Sequence, residues 1–293
     1  MTDTTGIAWT DGTVNFWIGC TKVGPGCDGC YAEVFANDRF NIKFGPGEHR
    51  HKTQSGYEEP LRWQRAHEKQ ALSGDRGPAM MKRNHQIVPV PVWVFANSLS
   101  DFFDNEIDPS WRTEAWSVIR RCSLLQWQIV TKRVGNVPKM LPGDWHDGHN
   151  YRNVGIVATM VNQDEYDRDA PKLAALYNLG VRWTGISMEP RLGPIKMNMP
   201  TDWVIDGGES TQGDHDARPF DLHESYAIQL QCAEAGIPYF RKQLGDNPVP
   251  KRGDKRGYGQ GGKNPELWPK DLQVQQMPRI YDGDPDRSQP TLF

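Results

Sequence analysis

Cys20, Cys27 and Cys30 lie within eleven residues, spaced Cys-x6-Cys-x2-Cys, with Tyr31 directly after the last thiol. Three thiolates can hold three irons of a cubane cluster and leave the fourth open, whereas a closed structural zinc site needs four protein ligands. Gly24, Pro25, Gly26 and Gly29 suit a loop that wraps a cluster, because it must take φ > 0 at some positions and offer backbone N–H groups to sulfur. Two other chemistries compete. A disulfide framework belongs to short, secreted, cysteine-dense chains. This chain has 293 residues and five cysteines, and it opens Met-Thr-Asp-Thr-Thr, without a basic or apolar leader pattern. Zinc would need a distant fourth ligand, for which His49 and His51 are the candidates. Cys122 and Cys232 stand in helical stretches and read as buried structural thiols.

Such a loop has to be held by regular elements. β-branched and aromatic runs at 14–18, 92–96, 128–131, 154–159, 181–187, 203–206 and 238–240 predict strands. Between them, 111–122 has apolar residues at helical spacing after Asp108-Pro109, and 173–179 and 222–235 also read as helices. Strand and helix in alternation predict an α/β fold with parallel strands, a full or partial (β/α) barrel of about six or seven strands over residues 1–245. Residues 41–91 interrupt the alternation as an irregular lid or inserted region, helical only at 61–71. Residues 246–293 read as a basic, Gly/Pro-rich, mobile tail.

In such a barrel the working residues gather where strands end. The predicted ends carry Asn97 and Ser98, Lys132, Thr159, Ser187 and Glu189, Gly207-Gly208-Glu209, and Lys242 with Gln243. Together they imply a polar pocket facing the cysteine loop. The formal net charge of -3 gives no global signature for nucleic acid. Locally, residues 39–83 hold ten Lys/Arg against five Asp/Glu, and 241–263 hold seven against two. Such stretches are usually solvated loops, and they are also what a phosphate-contact surface looks like. No apolar run approaches the roughly 20 residues that span a bilayer, so no membrane role and a cytoplasmic location are expected.

Ile7-Ala8-Trp9-Thr10, the cysteine loop through Glu33, 97–103 (NSLSDFF), 128–133 (QIVTKR), 187–194 (SMEPRLGP) and Gly207-Gly208-Glu209-Ser210 occur in that order. The set resembles the phage three-cysteine-motif family related to radical S-adenosylmethionine (SAM) enzymes, over about residues 6–245. It departs from the common radical-SAM loop, Cys-x3-Cys-x2-Cys, by its six-residue first gap. The resemblance implies a 4Fe-4S cluster on Cys20, Cys27 and Cys30, with SAM on the open iron and an electron donor such as flavodoxin or ferredoxin. Cleavage of SAM would give a 5′-deoxyadenosyl radical that abstracts a substrate hydrogen. Asn97, Ser98, Lys132, Thr159 and Glu189 would hold SAM, and Glu209 and Lys242 would act in catalysis. The implied activity is isomerisation of an amino-acid-adducted (glycinyl) thymidine in phage DNA, in the cytoplasm of the host if the chain is phage-encoded. Arg50, Lys52, Lys82, Arg83, Lys251, Arg252, Lys255 and Arg256 would then meet phosphates. A radical reaction on another nucleoside or tRNA, and a zinc-stabilised nucleic-acid-binding protein without catalysis, stay open.

Overall fold

A computed structural model describes residues 5–74, 76–83, 86–147, 150–253 and 257–279. Seven strands lie side by side in chain order: β1 (Gly12–Val14), β2 (Trp93–Ala96), β3 (Gln126–Thr131), β4 (Val154–Thr159), β5 (Trp183–Met188), β6 (Val204–Gly207) and β7 (Tyr239–Gln243). Every neighbouring pair is parallel. Sequential order with one-handed crossovers curls a twisted sheet around its own axis instead of winding it outwards in both directions. β1 and β7 do not pair, so the wall is a half-barrel. This is the α/β architecture expected from the sequence.

The helices are α1 (Tyr31–Phe40), α2 (Ser55–Ser73), α3 (Pro109–Arg121), α4 (Val137–Met140), α5 (Gln163–Ala175) and α6 (Leu222–Glu234). Three begin at side-chain caps: Asp108 accepts from the Ser110 amide, Asn162 from Glu165, and Asp221 from His223 and Glu224. Each such cap contributes about 1 kcal/mol. The expected helix at 173–179 is therefore displaced. α5 starts ten residues earlier at its Asn162 cap, runs through Pro171, and ends in a short 3-10 turn, Leu176–Leu179.

Alternation along the strands sends side chains to two cores. Val94, Ala96, Trp127, Ile129, Ile156, Ala158, Ile186 and Val204 face outward in the large core. Phe95, Val157, Trp183, Trp203, Ile205 and Phe240 form an inner cluster with Trp9. Trp93 and Trp183 open their strands, and Trp203 immediately precedes β6, so indoles fill the N-terminal end of the half-barrel. The Trp183 ring lies where a side chain at Gly155 would stand, which makes that strand position glycine-only. The polar residues are left with the C-terminal end.

Three boundaries differ from the sequence reading. The first strand stops at Val14, because the Asn15 and Asn97 side chains replace its ladder: Asn97 Oδ1 accepts from the Phe16 amide (3.0 Å), and Asn15 Oδ1 from Leu99 (2.7 Å). Trp17–Ile18 pairs instead with His51–Lys52, antiparallel. The inserted region is more regular than expected, holding the 19-residue α2 and a hairpin of Met80–Arg83 with Gln86–Pro89. The described part of the expected mobile tail packs on the barrel. Pro248–Val249 pairs with Phe220–Asp221, Gln275 bridges Phe240, and Trp268 and Leu272 are buried with Phe220, Leu222 and Leu244. Residues 280–293 lie outside the described part. Among the described residues no helix is long and apolar enough to cross a membrane.

Candidate metal and cofactor site

The cysteine loop leaves the β1 side and crosses the C-terminal end of the half-barrel. A 3-10 turn at Pro25–Cys27 and the start of α1 after Cys30 shape it. It sits so close to its support that a side chain at any of three positions would have to displace a neighbour. A Cβ at Gly24 would stand 2.5 Å from Glu165 Oε1, and one at Gly26 2.7 Å from Val161 Cγ1. At Gly29 it would stand 2.8 Å from both Glu209 Oε1 and His215 Nε2. The three thiols are free, Cys27 buried and the other two half-buried. Among the described residues no three or more His, Cys, Asp or Glu side chains are gathered to hold an ion, so the thiols do not converge as they stand. The rival fourth ligands, His49 and His51, pack on each other with ring centroids 4.7 Å apart.

Cations face this loop. Arg133, just past β3, donates to Cys20 Sγ (3.4 Å) and to Thr21 O (2.7 Å), and pairs with Asp101 (3.2 Å). Asp101 in turn accepts from Thr131 Oγ1 (2.8 Å) and the Lys132 amide (2.9 Å). Burial opposes the charge on Arg133, but Asp101, Cys20 and Asp104 outweigh it and raise its pKa. Burial and then Asp101 push the Cys20 thiol up to about 11, with Arg133 pulling the other way. The free thiol is therefore protonated at neutral pH and takes a metal ion only by releasing its proton. Burial likewise raises Cys30, opposed in part by the Lys132 ammonium. That half-buried ammonium lies beside Gly26, its Cε 3.3 Å from where a Cβ would be, and has no hydrogen-bonding partner among the described residues.

Across the mouth, Glu189 accepts from Ser187 Oγ (3.2 Å) and pairs with Lys242 Nζ (2.7 Å). Thr159 ends β4 beside Ser187. The structure thus joins Glu189 with Lys242 in one pair and brings Lys132 to the cysteine loop. Asn97 is buried at φ 65°, and its Nδ2 has no partner. Ser98 receives the Asn15 amide (3.1 Å), while its backbone carbonyl accepts from the Tyr31 hydroxyl (2.9 Å). Both brace the loop from below. Glu209 is not a free carboxylate: Arg218 grips it from Nε (2.8 Å) and Nη2 (2.6 Å). Burial raises this carboxyl, but the Arg218 bonds more than offset that and hold it below its usual range.

Arg133 and Arg218 are the residues that sequence reading missed as site groups. Arg133 was visible at a strand end, but its partner Cys20 lies 113 positions away. Arg218 sits in a polar loop with no periodic signal. The expected phosphate contacts need correction. Arg50 is buried and bound to Asp104 (3.1 Å), Thr21 and two backbone carbonyls, so it braces the loop and cannot reach a polymer. Lys52 pairs with Glu114, and Arg252 donates to Leu267 O (2.7 Å). Lys82 and Lys251 are exposed. The side chain of Arg83, and Lys255 and Arg256, lie outside the described part.

A protein-family model described as "Protein of unknown function (DUF5131)" matches residues 4–273, and the chain belongs to that family. No curated protein and no solved structure matches it.

Proposed function

We propose that this DUF5131 protein is a radical SAM enzyme in which Cys20, Cys27 and Cys30 hold a 4Fe-4S cluster over the mouth of the half-barrel. One observation carries the reading: a three-thiol loop is seated through glycines on a polar barrel mouth, with Arg133 bonded to Cys20 Sγ and the Lys132 side chain beside Gly26. The donor set fits the group, since thiolates are its ligands and the Arg133 and Lys132 cations offset part of the burial that holds Cys20 and Cys30 as thiols. When bound, such a cluster with one iron free of protein ligands supplies the site where SAM is held and reductively cleaved.

The chain's own residues seat, orient and shield. Lys132, as an unpaired ammonium beside the loop, suits the carboxylate of the amino-acid part of SAM. Glu189 suits its ammonium, with Lys242 and Ser187 fixing the carboxylate. Asn97 has an unused amide N–H2 to offer, and Thr159 borders the same mouth. The tryptophan floor closes the opposite end to water, which protects a reactive radical. A reducing cytoplasm, with a flavodoxin or ferredoxin as electron donor, suits five free thiols.

The substrate is a glycinyl-type thymidine in DNA, from which a hydrogen atom would be removed and then returned to the rearranged skeleton, so that the product is an isomer. A free nucleoside is the second reading, favoured by the burial of Arg50 and the internal pairing of Lys52. The test is anaerobic purification and reconstitution, followed by metal and sulfide analysis and assay of SAM cleavage to 5′-deoxyadenosine with a reductant. The expected result is about four irons and four sulfides per chain with reductant-dependent cleavage. Zinc in place of iron, or iron that survives loss of all three loop cysteines, would overturn it.

A further inference from the structure

The wall is open between β1 and β7, yet the loops above it are tied across the mouth. Arg218, between β6 and α6, makes that tie. Besides Glu209 it reaches Asp28 (Nη1, 3.2 Å) and the Pro25 carbonyl (Nη2, 3.0 Å), both on the cysteine loop. Its backbone amide also donates to Glu209 Oε2 (3.0 Å). His215 of the same segment stands 3.2 Å from Glu209 and, with it, fills the space where a side chain at Gly29 would be. The Cys20 end of the loop is held instead by Arg133 and Arg50, from the β1–β3 side. One loop is therefore fastened at its two ends to opposite sides of the barrel.

We infer that Arg218 is a positioning residue, which with Glu209 clamps the Pro25–Cys30 limb onto the loop after β6 and so sets Cys27 and Cys30 relative to Cys20. Glu209 then serves the loop, not the substrate. The guanidinium fork meets four acceptor atoms in three residues; a lysine in its place is a point charge and reaches fewer. The consequence for a cluster rests on the function proposed above, but the clamp itself is a property of the metal-free chain.

The experiment uses the full apo chain. Cys20, Cys27 and Cys30 are alkylated with iodoacetamide and followed as peptides, with the melting temperature recorded in parallel. Loss of charge-assisted bonds worth a little over 1 kcal/mol makes local opening about tenfold easier. Arg218→Met should raise Cys27 labelling about tenfold relative to Cys20, and Arg218→Lys should not restore protection. Should Arg218→Met not fold, Asp28→Ala removes a single contact at an exposed site and should give a smaller rise, about threefold. On reconstituted protein, Arg218→Met should alter the electron paramagnetic resonance signal of the reduced cluster, and its response to SAM, at unchanged iron content. An unchanged Cys27-to-Cys20 labelling ratio in the folded variants sinks the clamp. Absence of iron from the wild type would sink the enzyme reading and leave the labelling result intact.

Discussion

Two buried arginines, Arg133 and Arg191, sit beyond strand ends and pair with aspartates, but they serve different ends. Arg191 is closed in: Nε bonds Asp206 (2.9 Å), Nη1 bonds Glu224 (2.7 Å) and the Gly193 carbonyl, and Nη2 bonds the Asp221 carbonyl. Asp206 is also bonded by Ser225 and by the Tyr239 hydroxyl. Every group there is met by another part of the fold, and the network fastens α6 to the outer face of the wall. Arg133 spends one of its bonds on a cysteine sulfur, at the edge of a loop that has unused donors around it. Within the strands themselves, parity separates groups that face the helices from groups that face the mouth. Asp206 and Arg241 face outward into the helices, while their sequence neighbours Gly207 and Lys242 face the mouth beside Glu189. A polar residue inside a barrel strand near its end is met by the helices or faces the mouth according to which side of the sheet it falls on, while Arg133 and Arg191, beyond the strands, are placed by their loops.

The sharpest way to break this comparison is to remove one member of each region. Cys20→Ala, Cys27→Ala or Cys30→Ala should abolish iron binding outright and shift unfolding by only about 1–2 kcal/mol, since none belongs to the large core. Cys122→Ala and Cys232→Ala, both fully buried, should keep the iron. Asp206→Ala should do the reverse of the loop variants. It leaves Arg191 with Glu224 as its remaining ionic partner and the Ser225 and Tyr239 hydroxyls without their acceptor, and should cost about 3 kcal/mol in urea unfolding, with unchanged iron per folded chain. If Asp206→Ala lowers iron as far as Cys20→Ala, the two regions are one site and the division by parity fails.

Acid should separate the regions more gently. Glu209 has a carboxyl held below its ordinary value by Arg218, against the effect of burial. A depressed folded pKa means that the stabilisation is fully present above the unfolded value of about 4.3 and is lost as pH falls through the folded one. Amide hydrogen exchange of a 24–33 peptide, corrected for intrinsic rates, should stay protected at neutral pH and lose protection below about pH 4. In Arg218→Met the protection should already be low, so the acid step should shrink. His215 and Asp28 face the same pair, so His215→Gln and Asp28→Asn controls assign the step. A step of equal size in Arg218→Met would detach it from Glu209.

The architecture was legible because seven β-branched runs in sequence each carry an inward and an outward set. The cysteine loop was legible from spacing alone. Legibility failed where side chains override the backbone pattern. Asn15 and Asn97 end β1 early by offering amides to the chain, which a run of apolar residues at 14–18 does not reveal. The stretch 173–179 reads as a separate helix but begins inside α5, because the Asn162 cap sets the start and the helix runs through Pro171. The tail reads as mobile because Gly and Pro dominate it, yet in its described part Trp268 and Leu272 are buried beside Phe220 and Leu244. The ties of Arg133 and Arg218 to the loop span 113 and 190 positions, and no local pattern encodes a contact of that range.

The smallest expected effect concerns the surface, where the comparison turns from buried cations to exposed ones. Each phosphate contact contributes a slope of roughly -0.9 to log K against log salt. With Arg50 buried and Lys52 paired, Lys82 and Lys251 are the described residues of the predicted phosphate set left exposed and unpaired. Replacing both with Gln should therefore flatten the salt dependence of duplex binding by no more than about 2, and leave iron content untouched. Arg50→Gln should behave differently in kind: it should loosen the cysteine loop through Asp104 and Thr21 and leave the salt slope unchanged. Fluorescence anisotropy of a labelled duplex at two salt concentrations reads both variants. A slope that falls with Arg50→Gln, at full iron content, would put that guanidinium at a phosphate and return the insertion to a DNA-contact role. A wild-type slope near zero would remove the polymer and favour the free nucleoside, with the mouth and its cysteine loop unaffected as the site of chemistry.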